Sequence, residues 1–317
     1  MEKILVTGAT GLVGSSVLRN LKGNPNYDVV GLGSKDCDLR NPLEAHEVFE
    51  AIQPTKLILA AARVGGVLAN SSYPATFLID NLLMEASVLK WLQTANNVSR
   101  VVFIGSSCIY PLSAPQPMHP NYLMTGTLEP TNRWYAVAKL AGIYGLEALK
   151  IERGISGTSL LPTNLYGPGD NFHESDGHVL PSLLKRFFEA KQADQDEVIV
   201  WGTGKPLREF LYVDDLASAV VSVLETTDPD LVYNVGSEYE VSISELALMI
   251  AEVVGYQGKI IFDSNKPDGA NRKHLDFEPL KKLGWRQTVA LKSGIEKTLA
   301  WYESNLSNIR MEGVANK

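Results

Sequence analysis

The sequence predicts an α/β protein with a doubly wound parallel sheet and a smaller C-terminal lobe, and three observations predict it. A strand at Lys3–Thr7 runs straight into the turn Gly8-Ala9-Thr10-Gly11-Leu12-Val13-Gly14 and a helical pattern through Leu21. Short β-rich runs then alternate with helical stretches, which is the βαβ rhythm of a parallel sheet. The chain has 317 residues, 45% hydrophobic and 21% charged, enough for a large core and more than one lobe.

The glycine turn comes first. Strand, glycines and helix in that order form a Rossmann-type dinucleotide site, where backbone N–H groups approach a pyrophosphate at a helix N-terminus. The spacing is G-x-x-G-x-x-G rather than the G-x-G-x-x-G of many dehydrogenases. The second strand, Asp28–Gly33, leads to Ser34 and Lys35 where an NAD site usually has a carboxylate for the ribose 2′-hydroxyl. Lys35 suits a 2′-phosphate through a charge-assisted bond, so NADP (NADPH) is the expected cofactor. A slip of two residues would put Asp36 at the strand end and point to NAD instead.

Further along, Lys56–Ala60 reads as a strand, about 79–95 as a helix, Val101–Gly105 as a strand, about 133–154 as a helix and Gly157–Leu161 as a strand. The rhythm breaks after Pro168. Residues 1–168, joined by part of about 205–240, are expected to form a dinucleotide-binding domain, with 169–317 mainly a substrate-binding lobe. Val198–Trp201 and Leu207–Val213 read as strands of that lobe, Val232–Val235 as a strand returning to the main sheet, and 243–254 and 291–304 as helices.

Charge and composition exclude several classes. A net charge of −7 argues against broad nucleic-acid binding, which needs cations to neutralise phosphates. No run reaches the roughly 20 apolar residues of a membrane span, and no signal-like leader is evident, so a cytoplasmic location is expected. Cys37 and Cys108 lie in different segments without metal-ligand spacing, so no disulfide and no metal site are expected.

Tyr135 and Lys139 stand four residues apart, about one helical turn, and share a face. The ammonium is expected to lower the tyrosine pKa and make it a proton relay. Ser106 follows the strand Val101–Gly105, at the carboxyl edge where open α/β sheets bind ligands.

With these motifs in place the chain resembles the extended short-chain dehydrogenase/reductases, and among them the GDP-L-fucose synthase family of epimerase/reductases. Beside the glycine turn and the Tyr/Lys pair, the specific segments are Gly105–Pro111, with Ser106-Ser107-Cys108, and Gly177-His178-Val179-Leu180-Pro181. Ala61–Gly66, Pro162–Gly167, Asp170–His173, Trp201–Gly204, Arg208–Asp215 and Lys266–Gly269 extend the match over nearly the whole chain.

The resemblance implies a GDP-4-keto-6-deoxy hexose substrate, epimerised at C3 and C5 and then reduced at C4. Cys108 is implied as base and His178 as acid. Reference pKa values of about 8.5 and about 6.5 let thiolate and imidazolium coexist after modest shifts. Ser106 and Tyr135 would hold the C4 oxygen. Gly105, Ser106, Lys139, Pro162, Thr163, Asn164, Leu165 and His178 are implied at the cofactor. Arg186 and Arg208 are candidate diphosphate clamps, since guanidinium forks pair with phosphate oxygens; Trp201 and Asp268 would complete the nucleotide end. A homodimer through the helices about 79–95 and 133–154 is implied, with Leu82, Leu83, Leu89, Ile143 and Leu146 available either to it or to the monomer core. Cys37, His46, His119, His173 and His274 read as structural, the histidines as exposed loop residues. The rivals are a 4-epimerase, which leaves Cys108 and His178 unused, a 4,6-dehydratase, whose Asp-Glu pair is replaced here by Ser107-Cys108, and a non-catalytic nucleotide sensor.

Overall fold

The computed structural model describes residues 1–309 except 175 and 267. In chain order the first half contains β1 (Glu2–Thr7), α1 (Leu12–Leu21), β2 (Tyr27–Leu32), α2 (Pro42–Ile52), β3 (Lys56–Leu59), α3 (Val67–Ser72), α4 (Pro74–Leu92), β4 (Arg100–Ile104), α5 (Arg133–Arg153) and β5 (Ser156–Pro162). The second half contains β6 (Asn164–Tyr166), α6 (Val179–Gln192), β7 (Glu197–Trp201), β8 (Leu207–Tyr212), α7 (Val213–Glu225), β9 (Val232–Val235), β10 (Glu240–Ser242), α8 (Ile243–Val254), β11 (Lys259–Asp263), β12 (Arg272–Lys273), α9 (Glu278–Lys282) and α10 (Leu291–Ser304).

Six parallel strands form the main sheet in the order β2-β1-β3-β4-β5-β9. The strands are apolar on both faces because helices cover both. Leu5, Leu57, Val101 and Phe103 point into a cluster with Phe49, Trp91, Ile143 and Leu146 from α2, α4 and α5. Their neighbours Ile4, Val6, Ile58 and Val102 point the other way, against Val17, Leu216 and Val220 of α1 and α7. Burying each such side chain contributes about 1.5–3 kcal/mol, so the alternation fixes strand register.

A third cluster, with Phe172, Phe187, Phe210, Leu246, Ile250 and Tyr302, is built from α6, α8, α10 and the smaller strands. There β8 pairs with β6 and β12 in parallel and with β10 antiparallel, while β7 pairs with β11. The expected return of Val232–Val235 to the main sheet is observed, in parallel register with β5.

Several helices were not legible as such. Helix α4 starts at Pro74, earlier than the expected 79, because proline suits the first helical turn. Helix α6 hides behind Pro181, tolerated in its first turn for the same reason. Helix α7 follows β8 with no loop, so Val213 opens a helix instead of ending a strand. Helix α2, with Asn41 capping the amides of Leu43 and Glu44, gave no strong apolar period.

Of the apolar residues considered for a dimer, Ile143 and Leu146 belong to the monomer core, Leu82 and Leu89 are partly buried, and Leu83 is exposed. The outer faces of α4 and α5 instead present Ile79, Leu83, Val137 and Tyr144. No helix among the described residues is long and apolar enough to cross a membrane.

Candidate active site

β1 lies between β2 and β3, the point where the winding of the sheet changes direction, and the glycine turn leaves its carboxyl end. Gly8 has φ +68°, and a Cβ there would lie 2.7 Å from the Ala61 nitrogen. A Cβ on Gly14 would lie 2.2 Å from the Gly8 oxygen, so only glycine lets α1 pack this close to the turn. Gly11 caps α1 without a side-chain bond, which leaves the amides of Leu12, Val13 and Gly14 free of intrahelical partners. Ala9 and Thr10 line the same turn. This cradle fits a dinucleotide pyrophosphate.

Beyond β2, Ser34 and Lys35 are exposed. Asp36 folds back, its carboxylate accepting the Gly33 amide at 2.7 Å, so Ser34 and Lys35 are the groups that reach outward. Lys35→Glu is expected to weaken NADPH far more than NADH, because a carboxylate repels the 2′-phosphate. Titration of both nucleotides against the variant checks this, and an equal loss of both contradicts it.

Ser106 follows β4 in an extended conformation, and its hydroxyl accepts the Cys108 amide at 3.3 Å, capping a short 3₁₀ turn over Ser107–Ile109. That turn carries Cys108 into a cluster with Ala69, Phe77 and Tyr135. Tyr135 stands in the first turn of α5, edge-on to Phe77 with ring centroids 6.4 Å apart. Lys139 follows one turn later, and its Nζ lies 5.9 Å from the Tyr135 ring centroid, 4.4 Å from that of Phe103 and 3.3 Å from Glu85 Oε1.

The expected lowering of the Tyr135 pKa by Lys139 is not found. Burial pushes the phenol well above its ordinary value, and Cys108 and Glu85 add to the rise. Desolvation is the dominant cause, and Lys139 makes its ion pair with Glu85.

The expected thiolate and imidazolium are corrected in the same way. Burial pushes the Cys108 thiol up, opposed by the charge of Lys273, a hydrogen bond with Ser106 and the charge of Lys139. Burial alone pushes His178 down. Both shifts favour the uncharged forms, thiol and neutral imidazole. His178 is the N-terminal boundary residue of α6. Its loop is tied to the Ala61–Gly66 segment by the Gly66 amide, which donates to the Asp176 carbonyl at 2.9 Å. A Cβ on Gly66 would lie 2.6 Å from the Gly177 oxygen, which accounts for a glycine there.

Lys273 was missed in the sequence. It lies on the two-residue strand β12, opposite Arg208 of β8, too short an element for periodicity to register. It is enclosed, with its pKa pushed down by burial and by Arg208 but supported by Cys108. The charges run on from there. Arg208 is pushed down by burial and held up by Asp268. Asp268 accepts the Thr203 amide at 2.6 Å and hydroxyl at 2.8 Å. Trp201, 45% exposed, has the Arg186 guanidinium 5.8 Å and the Lys266 ammonium 5.4 Å from its ring centroid. Arg186 also donates to the Ile199 carbonyl and faces Glu174. Cys108, Lys273, Arg208, Asp268 and Trp201 thus form one strip from the end of β4 to the edge of the smaller lobe.

The segment Pro162–Leu165 leaves β5, Thr163 and Asn164 donating to the Glu209 carbonyl at 3.2 and 2.8 Å. The other histidines differ from expectation. His46 is exposed on α2, but His119 and His173 accept backbone amides through Nδ1, and His274 lies 3.1 Å from the buried Glu209. Among the described residues no group of three or more His, Cys, Asp or Glu could hold a metal ion.

A parallel sheet with a glycine cradle at its switch point, Ser106 after β4 and Tyr135 and Lys139 on the adjoining α5, defines the class of dinucleotide-binding enzymes. The profile of the NAD dependent epimerase/dehydratase family matches residues 4–236. The Probable GDP-L-fucose synthase 1 of Oryza sativa subsp. japonica is 48% identical over 304 residues, 96% of this chain and 93% of that protein. The GDP-L-fucose synthase of Escherichia coli (strain K12) is 42% identical over 318 residues, 98% of this chain and 99% of that protein. A solved GDP-L-fucose synthetase from Naegleria fowleri bound to NADP matches with TM-score 0.89 and 30% identity, over 98% of this chain and 96% of that one. The chain belongs to the NAD dependent epimerase/dehydratase family and, within it, to the GDP-L-fucose synthases.

Proposed function

We propose that this chain is a bifunctional 3,5-epimerase and 4-reductase that converts GDP-4-keto-6-deoxy-D-mannose to GDP-L-fucose with NADPH. The observation that carries the reading is the thiol of Cys108 clustered with Tyr135, next to Ser106 and under the charge of the enclosed Lys273. A plain 4-epimerase has no use for that thiol or that cation.

The C4 ketone makes the hydrogens on C3 and C5 acidic, because each anion spreads onto the carbonyl oxygen as an enolate. Epimerisation therefore precedes reduction. Ser106 and Tyr135 donate to the C4 oxygen and stabilise each enolate. Cys108 removes a proton from one face of the ring and His178 returns one to the other. NADPH, when bound, supplies the hydride that reduces C4. Tyr135 then protonates the C4 oxygen, and Lys139 would hold the cofactor ribose. Thr10, Lys35 and the first amides of α1 would hold its phosphates, and Gly105, Pro162, Thr163, Asn164 and Leu165 would hold its nicotinamide end. Arg186, Arg208, Trp201 and Asp268 serve the GDP end in the smaller lobe, the division of labour being a dinucleotide domain over 1–168 with part of 205–240 and a substrate lobe over most of 169–317.

The thiolate and imidazolium needed for turnover are a proton tautomer of the resting thiol and neutral imidazole. Both pairs carry the same net charge, so the active fraction is constant between the lowered His178 pKa and the raised Cys108 pKa. Epimerisation is expected to show a broad plateau with pH, falling on the acid side as imidazolium forms over thiol, and on the alkaline side as the acid is lost. Lys273→Met removes the cation and moves the alkaline limb up. The pH dependence of Cys108 alkylation by iodoacetamide, read by peptide mass, measures that limb, and an unmoved inflection contradicts the role of Lys273.

The exposed Ile79, Leu83, Val137 and Tyr144 support a homodimer through α4 and α5, testable by light scattering, where the mass of one chain would remove it. The net charge of −7 speaks against broad nucleic-acid binding.

A further inference from the structure

Helix α4 carries a carboxylate that the proposed chemistry does not use. Its inward face runs Phe77, Asn81, Glu85, Val88 and Leu92, all buried. Glu85 is 7% exposed, and neither of its carboxylate oxygens makes a regular hydrogen bond within the protein. Its compensation is ionic: Lys139 Nζ lies 3.3 Å from Oε1, with the lysine side chain 1% exposed. The backbone amide of Gly142, one turn beyond Lys139 on α5, also faces the carboxylate. Space at that point is made by glycine, since a Cβ on Gly142 would lie 3.0 Å from Glu85 Oε2 and 2.7 Å from the Phe103 ring.

A buried ammonium against an aromatic ring has two sources of support here, the face of Phe103 and the carboxylate of Glu85. The other groups around it do not neutralise it. Tyr135 lies on the same helix, Cys108 approaches from the turn after β4, and Lys273 of β12 stands beyond Cys108 with a charge of the same sign. Among the described residues Glu85 is thus the anion within ion-pair reach of Lys139. A carboxylate that deep is costly unless it holds a charge in place.

We propose that Glu85 is a positioning residue for reduction, keeping the Lys139 ammonium charged and fixed beneath Tyr135 and the cofactor ribose. This rests on the reading of Tyr135 and Lys139 as the reductive pair. Without Glu85, the buried ammonium loses the anion that fixes it and offsets the cost of its burial. Burial pushes the Glu85 carboxyl up and the charge of Lys139 opposes the rise, an interaction that a neutral amide removes.

The test compares single-turnover NADPH oxidation by the full chain, with a 4-keto-6-deoxy sugar nucleotide, across pH. Glu85→Gln keeps the shape and removes the charge. Its reductive rate is expected to fall by about 10- to 100-fold and to decline with rising pH at a lower pH than in the parent protein. Glu85→Asp, which retains the charge, is expected to restore the parent profile. In a Lys139→Met background Glu85→Gln is expected to add no further loss, since the two act as one unit. That double variant leaves no bare buried charge, so it keeps the test usable where Glu85→Gln alone fails to fold. A parent-like pH profile in Glu85→Gln, or a full further loss on top of Lys139→Met, overturns the proposal. Undiminished reduction by Lys139→Met sinks the Tyr135–Lys139 reading itself, a separate outcome.

Discussion

Cys108→Ser is expected to stop formation of the fucose-configured product while still oxidising NADPH against the unepimerised 4-ketone. A serine hydroxyl is a far weaker acid than a thiol, so the base is lost, and the expected fall in epimerisation is about 10²–10⁴-fold. The fold has little reason to change. Cys108 sits half-buried in the middle of a capped 3₁₀ turn, and serine keeps its shape. The Ser106 and Tyr135 donors remain, so the ketone is still polarised for reduction. Chromatography of the sugar products checks this, and parent amounts of fucose-configured product refute the assignment of the base.

Tyr135→Phe is expected to have the opposite signature, losing reduction by about 10²–10⁴-fold and slowing epimerisation as well. In the proposed mechanism the same hydroxyl donates to the enolate oxygen in both early steps and to the alkoxide in the last. The ring stays against Phe77, which preserves the packing. Parallel assays of NADPH oxidation and of proton exchange distinguish the two variants. A Tyr135→Phe protein that reduces normally contradicts the triad.

The main sheet was legible because its signals are local. The glycine turn, the apolar runs and the Tyr135–Lys139 spacing each occupy a few consecutive residues and survive any uncertainty about packing. The smaller lobe was legible only in parts, because β6, β10 and β12 have three residues or fewer and are defined by pairing with β8 rather than by their own pattern. Lys273 belongs to that class: its importance comes from standing beside Arg208 across a strand pair.

Glu85 did leave a trace, since it and Asn81 interrupt the apolar face of α4 at successive i+4 positions. Protonation states were not readable at all. The expected low pKa of Tyr135 and the expected thiolate depended on charge proximity, whereas the dominant effect is desolvation, which only the enclosed site reveals.

The account rests on a single thiol acting as base at both carbons from a pocket that holds the C4 oxygen. Deuterium wash-in tests this directly, with the parent protein and Cys108→Ser each incubated with the 4-keto-6-deoxy sugar nucleotide in D₂O without NADPH and followed by NMR. The parent protein should place solvent deuterium at both C3 and C5 while the serine variant leaves both positions protonated. Exchange at the two carbons in the serine variant at the parent rate would show that the base lies elsewhere.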